Sequence, residues 1–173
     1  MRIEDLLSLD HDSWHLPKPD VDALTGEDAL QDAQVLDVRL NALTGVAGVL
    51  FELRQSLHIE GADTGVLVCF GTRDLAWSGA ARPTELTAWS VGGSVPSTRG
   101  TLFSITMSMW PEPGASLSLT AVSAAFIVGQ VPGLASAPPD YTAHDRTTIA
   151  ADIATWSSTF EPTGANVFDS VAP

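Results

Sequence analysis

The chain has 173 residues, 45% of them apolar and only 17% charged, and its 21 Asp and Glu against eight Lys and Arg leave a net charge of −13. That length and apolar content suffice for one hydrophobic core without disulfide or metal staples. The charge excludes the basic face that displaces counterions from phosphates, so neither nucleic acid nor an acidic membrane is an expected partner. Opposite fields favour a basic protein instead.

Met1 and Arg2 lead straight into Glu4 and Asp5 rather than into a basic-then-apolar leader, and "RIEDLLSL" fits one short helix. Acidity concentrates at this end, with ten carboxylates between Glu4 and Asp37. In "DHDSWHLPKPD", His11 and His15 have the four-residue spacing that brings two imidazoles to one zinc on a helix. Pro17 and Pro19 follow at once, so these are read as loop histidines and no metal is expected. "DVDALTGEDALQ" starts like a calcium loop at Asp20 and Asp22, then puts Leu24 where an oxygen ligand belongs and Gln31 where a bidentate glutamate belongs. It is read as loop, with one helical turn near Gly26 to Leu30.

From Val35 the period becomes two. "VLDVRLNAL" sets Leu36, Val38 and Leu40 against Asp37 and Arg39, and "VLFELR" sets Val49, Phe51 and Leu53 against Glu52 and Arg54. "GVLVCFG" is an apolar strand holding the single cysteine, Cys69, which is expected to be a buried free thiol suited to a reducing, cytoplasmic setting. "LAWSGAARPTELTAWSVGG" repeats "AWS" about Pro83. A hairpin centred there would set Trp77 directly opposite Trp89, with Leu75 and Val91 on the same apolar face, which favours core over binding platform. "SVGGS" is read as a turn. "LFSITMSMW" alternates Phe103, Ile105, Met107 and Met109 with Ser104, Thr106 and Ser108, and "ASLSLTAVSAAFIVG" reads as one long strand or two joined by a bulge. After the proline-rich "VPGLASAPPDY", Ile149, Ile153 and Trp156 fall on one stripe of a helix over "HDRTTIAADIATWSSTF", with Asp145 placed to cap it. The longest weakly polar run, 121–131, is about half a membrane span.

Residues 31–79, "QDAQVLDVRLNALTGVAGVLFELRQ…TGVLVCFGTRDLAWSG", resemble the small immunity-type proteins of bacterial toxin systems. Their layout is a D-A dipeptide, an alternating strand, an L-x-L strand and a strand ending in a glycine-x-arginine-x-leucine phrase. Here those elements are Asp32-Ala33, the strand from Val35, the strand from Val49 and "FGTRDL" at Phe70 to Leu75, with Gln31 where the family has histidine. The resemblance implies a sheet-rich fold that neutralises a partner toxin without cofactor or catalysis.

No G-x-S-x-G elbow, phosphate-binding glycine loop or metal-ligand spacing selects catalytic residues. The sequence thus predicts a mainly β (α+β) domain over 1–173, an antiparallel sheet or β-sandwich meander with short N-terminal and C-terminal helices. Within it, 1–34 form an acidic extension, 35–131 the β core and 132–173 a loop and helix. The expected function is that of a non-enzymatic, cytoplasmic protein-binding module without metal or cofactor, contacting a basic partner through Asp10, Asp12, Asp20 and Asp22. The alternatives are a small-ligand or carbohydrate-binding β domain using Trp77, Trp89 or Trp110, and a subunit of a homo-oligomer paired through an edge strand such as Thr101 to Met109.

Overall fold

The computed structural model describes residues 1–8, 15–80, 86–112 and 114–169. Nine strands among them form one open antiparallel sheet: β1 Gln34–Asn41, β2 Val46–Glu52, β3 Thr64–Phe70, β4 Asp74–Ser78, β5 Trp89–Arg99, β6 Leu102–Trp110, β7 Ala115–Ala121, β8 Ser123–Gln130 and β9 Glu161–Phe168. Their order is β4-β7-β6-β5-β1-β2-β3-β8-β9. The helices are short, a 3-10 segment at Ile3–Ser8 and α1 at Arg146–Ala151. None of the described helices is long and apolar enough to cross a membrane.

Sequence pattern decides what each strand buries. β6 and β7 alternate, so Phe103, Ile105, Met107, Leu117 and Leu119 point inward while Thr106, Ser108 and Ser116 face out. β2, β3 and β8 are apolar almost without break and are buried on both faces. One core joins Phe51, Leu67 and Phe126 from these central strands to Phe103, Ile105 and Leu119 from the other half. The sheet therefore folds over on itself, and the Phe103 and Phe168 rings meet at 5.6 Å although β6 and β9 are far apart in the strand order. A second core covers the opposite face of the centre, where Ile3, Leu6, Trp156 and Phe160 lie over Leu50, Val66 and Ile127. Gly48 makes this layer possible, since a Cβ there would come within 2.7 Å of the Trp156 ring.

Several expectations need correction. β4 does not form a hairpin with β5; it pairs with β7, while β5 pairs with β6 and β1. The expected hairpin centre, Pro83, lies outside the described residues. "SVGGS" is strand, not turn, its extra residue absorbed by a bulge at Gly92. "ASLSLTAVSAAFIVG" is two strands that are not neighbours, because the chain crosses at Val122 from one half of the sheet to the other. The C-terminal helix stops at Ala151, and β9 follows where helix and loop were expected. Asp145 does cap α1, accepting the Thr148 N–H at 2.9 Å. The segment Thr101 to Met109 is interior, flanked by β5 and β7, so it offers no edge. Cys69 is a fully buried free thiol, and burial pushes its ionisation far up.

Candidate functional site

The sheet is narrowest where β1 meets β5. The two strands pair at Gln34–Ser90 and Val35–Trp89 only, and then β1 bulges at Leu36. The bulge shifts the phase of the strand. Val35 and Val38 both pack against the inner core, while Leu36 turns to the outer one. Beyond Val35 no described strand covers the outer edge of β1. The Val38 N–H is taken instead by the Asp37 carboxylate, 2.8 Å from its Oδ1.

Across from this edge stands β4, itself an edge strand. Between them lies a cleft of ≈ 420 Å³ lined by Val35, Leu36, Asp37, Val38, Leu75 and the two tryptophans, Trp77 and Trp89. Those rings meet edge to face, 5.8 Å apart at 75°. They meet across the seam and not along a ladder. Trp89 is 7% exposed and belongs to the core, whereas Trp77 is 39% exposed. The Trp77 indole N–H is held by the Gly79 carbonyl at 3.3 Å.

Asp37 closes the outer end. Its Oδ2 accepts the Trp156 indole N–H at 2.7 Å and lies 3.8 Å from Arg39, whose guanidinium sits 5.1 Å over the Trp156 ring. Asp74 is exposed at the start of β4. The other edge of the sheet is treated differently. In β9 the Ala165 N–H donates to the Pro17 carbonyl at 2.9 Å, and Pro19 packs over Gly164. That edge is partly covered by the chain itself; no described strand covers the β1–β4 seam.

Of the acidic residues expected at a contact surface, Asp20 and Asp22 do not line this cleft. Asp10 and Asp12 lie outside the described residues, as does His11. Asp20 is exposed beside Lys18, His58 and Glu60 on a separate pocket of ≈ 290 Å³. Asp22 opens a turn, accepting the Leu24 N–H at 2.9 Å. The turn matters structurally, because Ala23, Leu24, Ala29, Leu30 and Ala33 are core residues and Asp28 is bonded through its backbone and carboxylate to Ser94 of β5. Trp110, 52% exposed, lies on neither wall of the seam and lines a different cavity. His15 is exposed, and among the described residues no group of three His, Cys, Asp or Glu side chains is placed to hold a metal ion.

Sequence reasoning missed Leu36, Val38 and Asp37 as site residues because it read the alternation through β1 as continuous. Only a phase slip would have given them away, and an alternating run of "VLDVRL" conceals it. No family model, no curated protein and no solved structure matches the chain.

Proposed function

We propose that this protein is a non-enzymatic, cytoplasmic protein-binding module that takes an extended segment of a basic partner into the seam between β1 and β4. The observation that carries this reading is a pair of strand edges, unpaired among the described residues, facing one another across an apolar cleft. A strand laid along β1 gains main-chain hydrogen bonds from the amide that Asp37 now occupies, and its alternate side chains enter the cleft against Leu75 and Trp77. Displaced from Val38, the Oδ1 of Asp37 can pair with a Lys or Arg of the incoming segment while Oδ2 keeps the Trp156 indole N–H. The net charge of −13 adds steering toward such a partner.

The resemblance of residues 31–79 to immunity-type proteins supports the same direction, because β1 and β4 both fall inside that span. On that basis the partner is a bacterial toxin, and neutralisation needs no cofactor. Selection from a displayed library of short linear peptides at low salt tests the reading. The expected winners carry alternating apolar side chains and Lys or Arg. A synthetic peptide of that pattern should lose about tenfold or more in affinity against Val38→Pro, which removes the edge amide, and against Trp77→Ala. Selection of no such pattern, or affinity for both variants undiminished from that for the unaltered protein, overturns the proposal.

A further inference from the structure

The β1–β5 junction has a second side. Strand geometry sends neighbouring side chains to opposite faces, so while Val35 and Trp89 line the seam, their neighbours Gln34 and Ser90 face the other way. There they line a cavity of ≈ 270 Å³, about nine waters' share of liquid volume, together with Gln55, Trp110, Tyr141 and Thr142. Two side chains of this lining each carry a buried polar atom that meets no hydrogen-bond partner among the described residues: the Gln34 Oε1 and the Tyr141 hydroxyl. Gln34 is only 6% exposed, and its amide is oriented by the other end, where Nε2 donates to Gln55 Oε1 at 3.3 Å. A buried acceptor and a buried phenol left unmet are uncommon in folded proteins, and two on one cavity point to a shared outside partner.

We infer that this cavity binds a small, uncharged, polyhydroxylated molecule of monosaccharide size. The chemistry of the lining selects that class. Gln34 Oε1 accepts only, so the ligand must donate to it; the Tyr141 and Ser90 hydroxyls donate or accept. Neighbouring ligand hydroxyls meet both needs at once. None of the described lining side chains is charged, which favours a neutral ligand. The exposed Trp110 indole supplies an apolar plane against which the C–H face of a sugar ring rests.

Supporting groups fix the geometry. Tyr141 and Thr142 sit on a turn organised by Asp140, whose Oδ1 accepts the Thr142 N–H at 2.8 Å and the Thr142 hydroxyl at 2.6 Å. Burial, with the Glu52 charge nearby, pushes the Tyr141 phenol up to about 12, which keeps it a neutral donor across the physiological range.

The experiment is a two-dimensional NMR titration of the whole protein with glucose, galactose, mannose and N-acetylglucosamine, using glucuronate and glucosamine as charged controls. Saturable shifts of the Trp110 indole N–H and the Gln34 side-chain amide with at least one neutral sugar are expected. Tyr141→Phe, which keeps the shape and deletes the unmet hydroxyl, should fold with unchanged or higher stability and bind about tenfold more weakly. Trp110→Ala should weaken binding by at least as much. Silence at both reporters across the neutral sugars means that the cavity holds water only and overturns the inference. Equal binding of the charged controls, or undiminished binding by Tyr141→Phe, overturns it as well.

Discussion

The centre of the sheet and its seam both present apolar side chains, and these come to opposite ends. In β2, β3 and β8 the outward-turned Leu50, Val66 and Ile127 are roofed by Ile3, Leu6, Trp156 and Phe160 from the two ends of the chain. In β1 and β4 the same kinds of residue, Val38, Leu40 and Trp77, stand half-buried or exposed, because the roof stops short of them and the ladder to β5 ends at Val35. The difference is one of coverage as much as of composition, since β1 also intersperses Asp37 and Arg39. A strand's sequence says that it has something apolar to bury; only the rest of the chain decides whether that surface is used for folding or left for another molecule.

If that contrast is right, damage at the end of the central strands should cost far more stability than damage at the seam. The largest effect is expected at Arg54. Glu52, at the end of β2, is 1% exposed, and the Arg54 guanidinium reaches it with Nε at 2.8 Å and Nη2 at 2.6 Å while also holding the Ala135 and Ala137 carbonyls. Burial works against the guanidinium's charge, yet Glu52 and Asp152 outweigh it and hold its ionisation above the usual value. Arg54→Met leaves Glu52 buried and unpaired, a loss of about 3–5 kcal/mol in urea unfolding. The double variant Glu52→Met with Arg54→Met should recover most of that loss, since the cost lies in the orphaned charge.

At the seam the same measurement should read much less. Trp77→Ala removes an edge-to-face partner of Trp89 and the buried part of a side chain that is 39% exposed, for a loss of about 2 kcal/mol. Loss of peptide binding with a destabilisation no larger than that would sharpen the contrast between centre and seam. A destabilisation as large as that of Arg54→Met would break it, by showing that Trp77 belongs to the core after all.

How far the sequence could be read follows the same division. β6 was legible because one of its faces is dry and the other wet, and β2 and β3 because an apolar run between glycines has few other uses. β5 was hidden by Gly92, Gly93 and Pro96, which a strand tolerates here because its ladder to β1 covers only Trp89 and Ser90. β9, "EPTGANVF", has no alternation to show; it is a strand because β8 offers it an edge. The stripe of Ile149, Ile153 and Trp156 is helical in spacing, yet the chain leaves the helix at Asp152, whose carbonyl accepts from Arg54 and whose carboxylate accepts from both Arg54 and the Ala135 N–H. Tertiary bonds overrode the period. At the site, Trp77 and Trp89 were found as a pair by their repeat, but the partners that make a cleft of them come from β1, thirty and more residues earlier, and the unmet atoms of Gln34 and Tyr141 carry no local pattern.

The smallest expected effect lies at the surface, away from both regions, and tests whether the short helix is as peripheral as the contrast requires. The Asp145 carboxylate caps α1, and hydrogen bonding to the Thr148 N–H holds its ionisation below the ordinary 3.8. A carboxyl depressed in the folded state contributes stability above its unfolded value and loses that contribution as pH falls through the folded one, so the cap should act fully at neutral pH and fail only in acid below 3.8. The Thr148 amide resonance should report a midpoint below that value, and Asp145→Asn should abolish the titration while keeping the cap, since asparagine caps about as well as aspartate. The site is fully solvated, so urea unfolding at neutral pH should barely distinguish Asp145→Asn from the wild type, leaving the order of effects as Glu52–Arg54, then Trp77, then Asp145. A Thr148 midpoint at or above 3.8 would remove the cap from the account, and a marked loss of stability in Asp145→Asn would place α1 among the elements that hold the centre together.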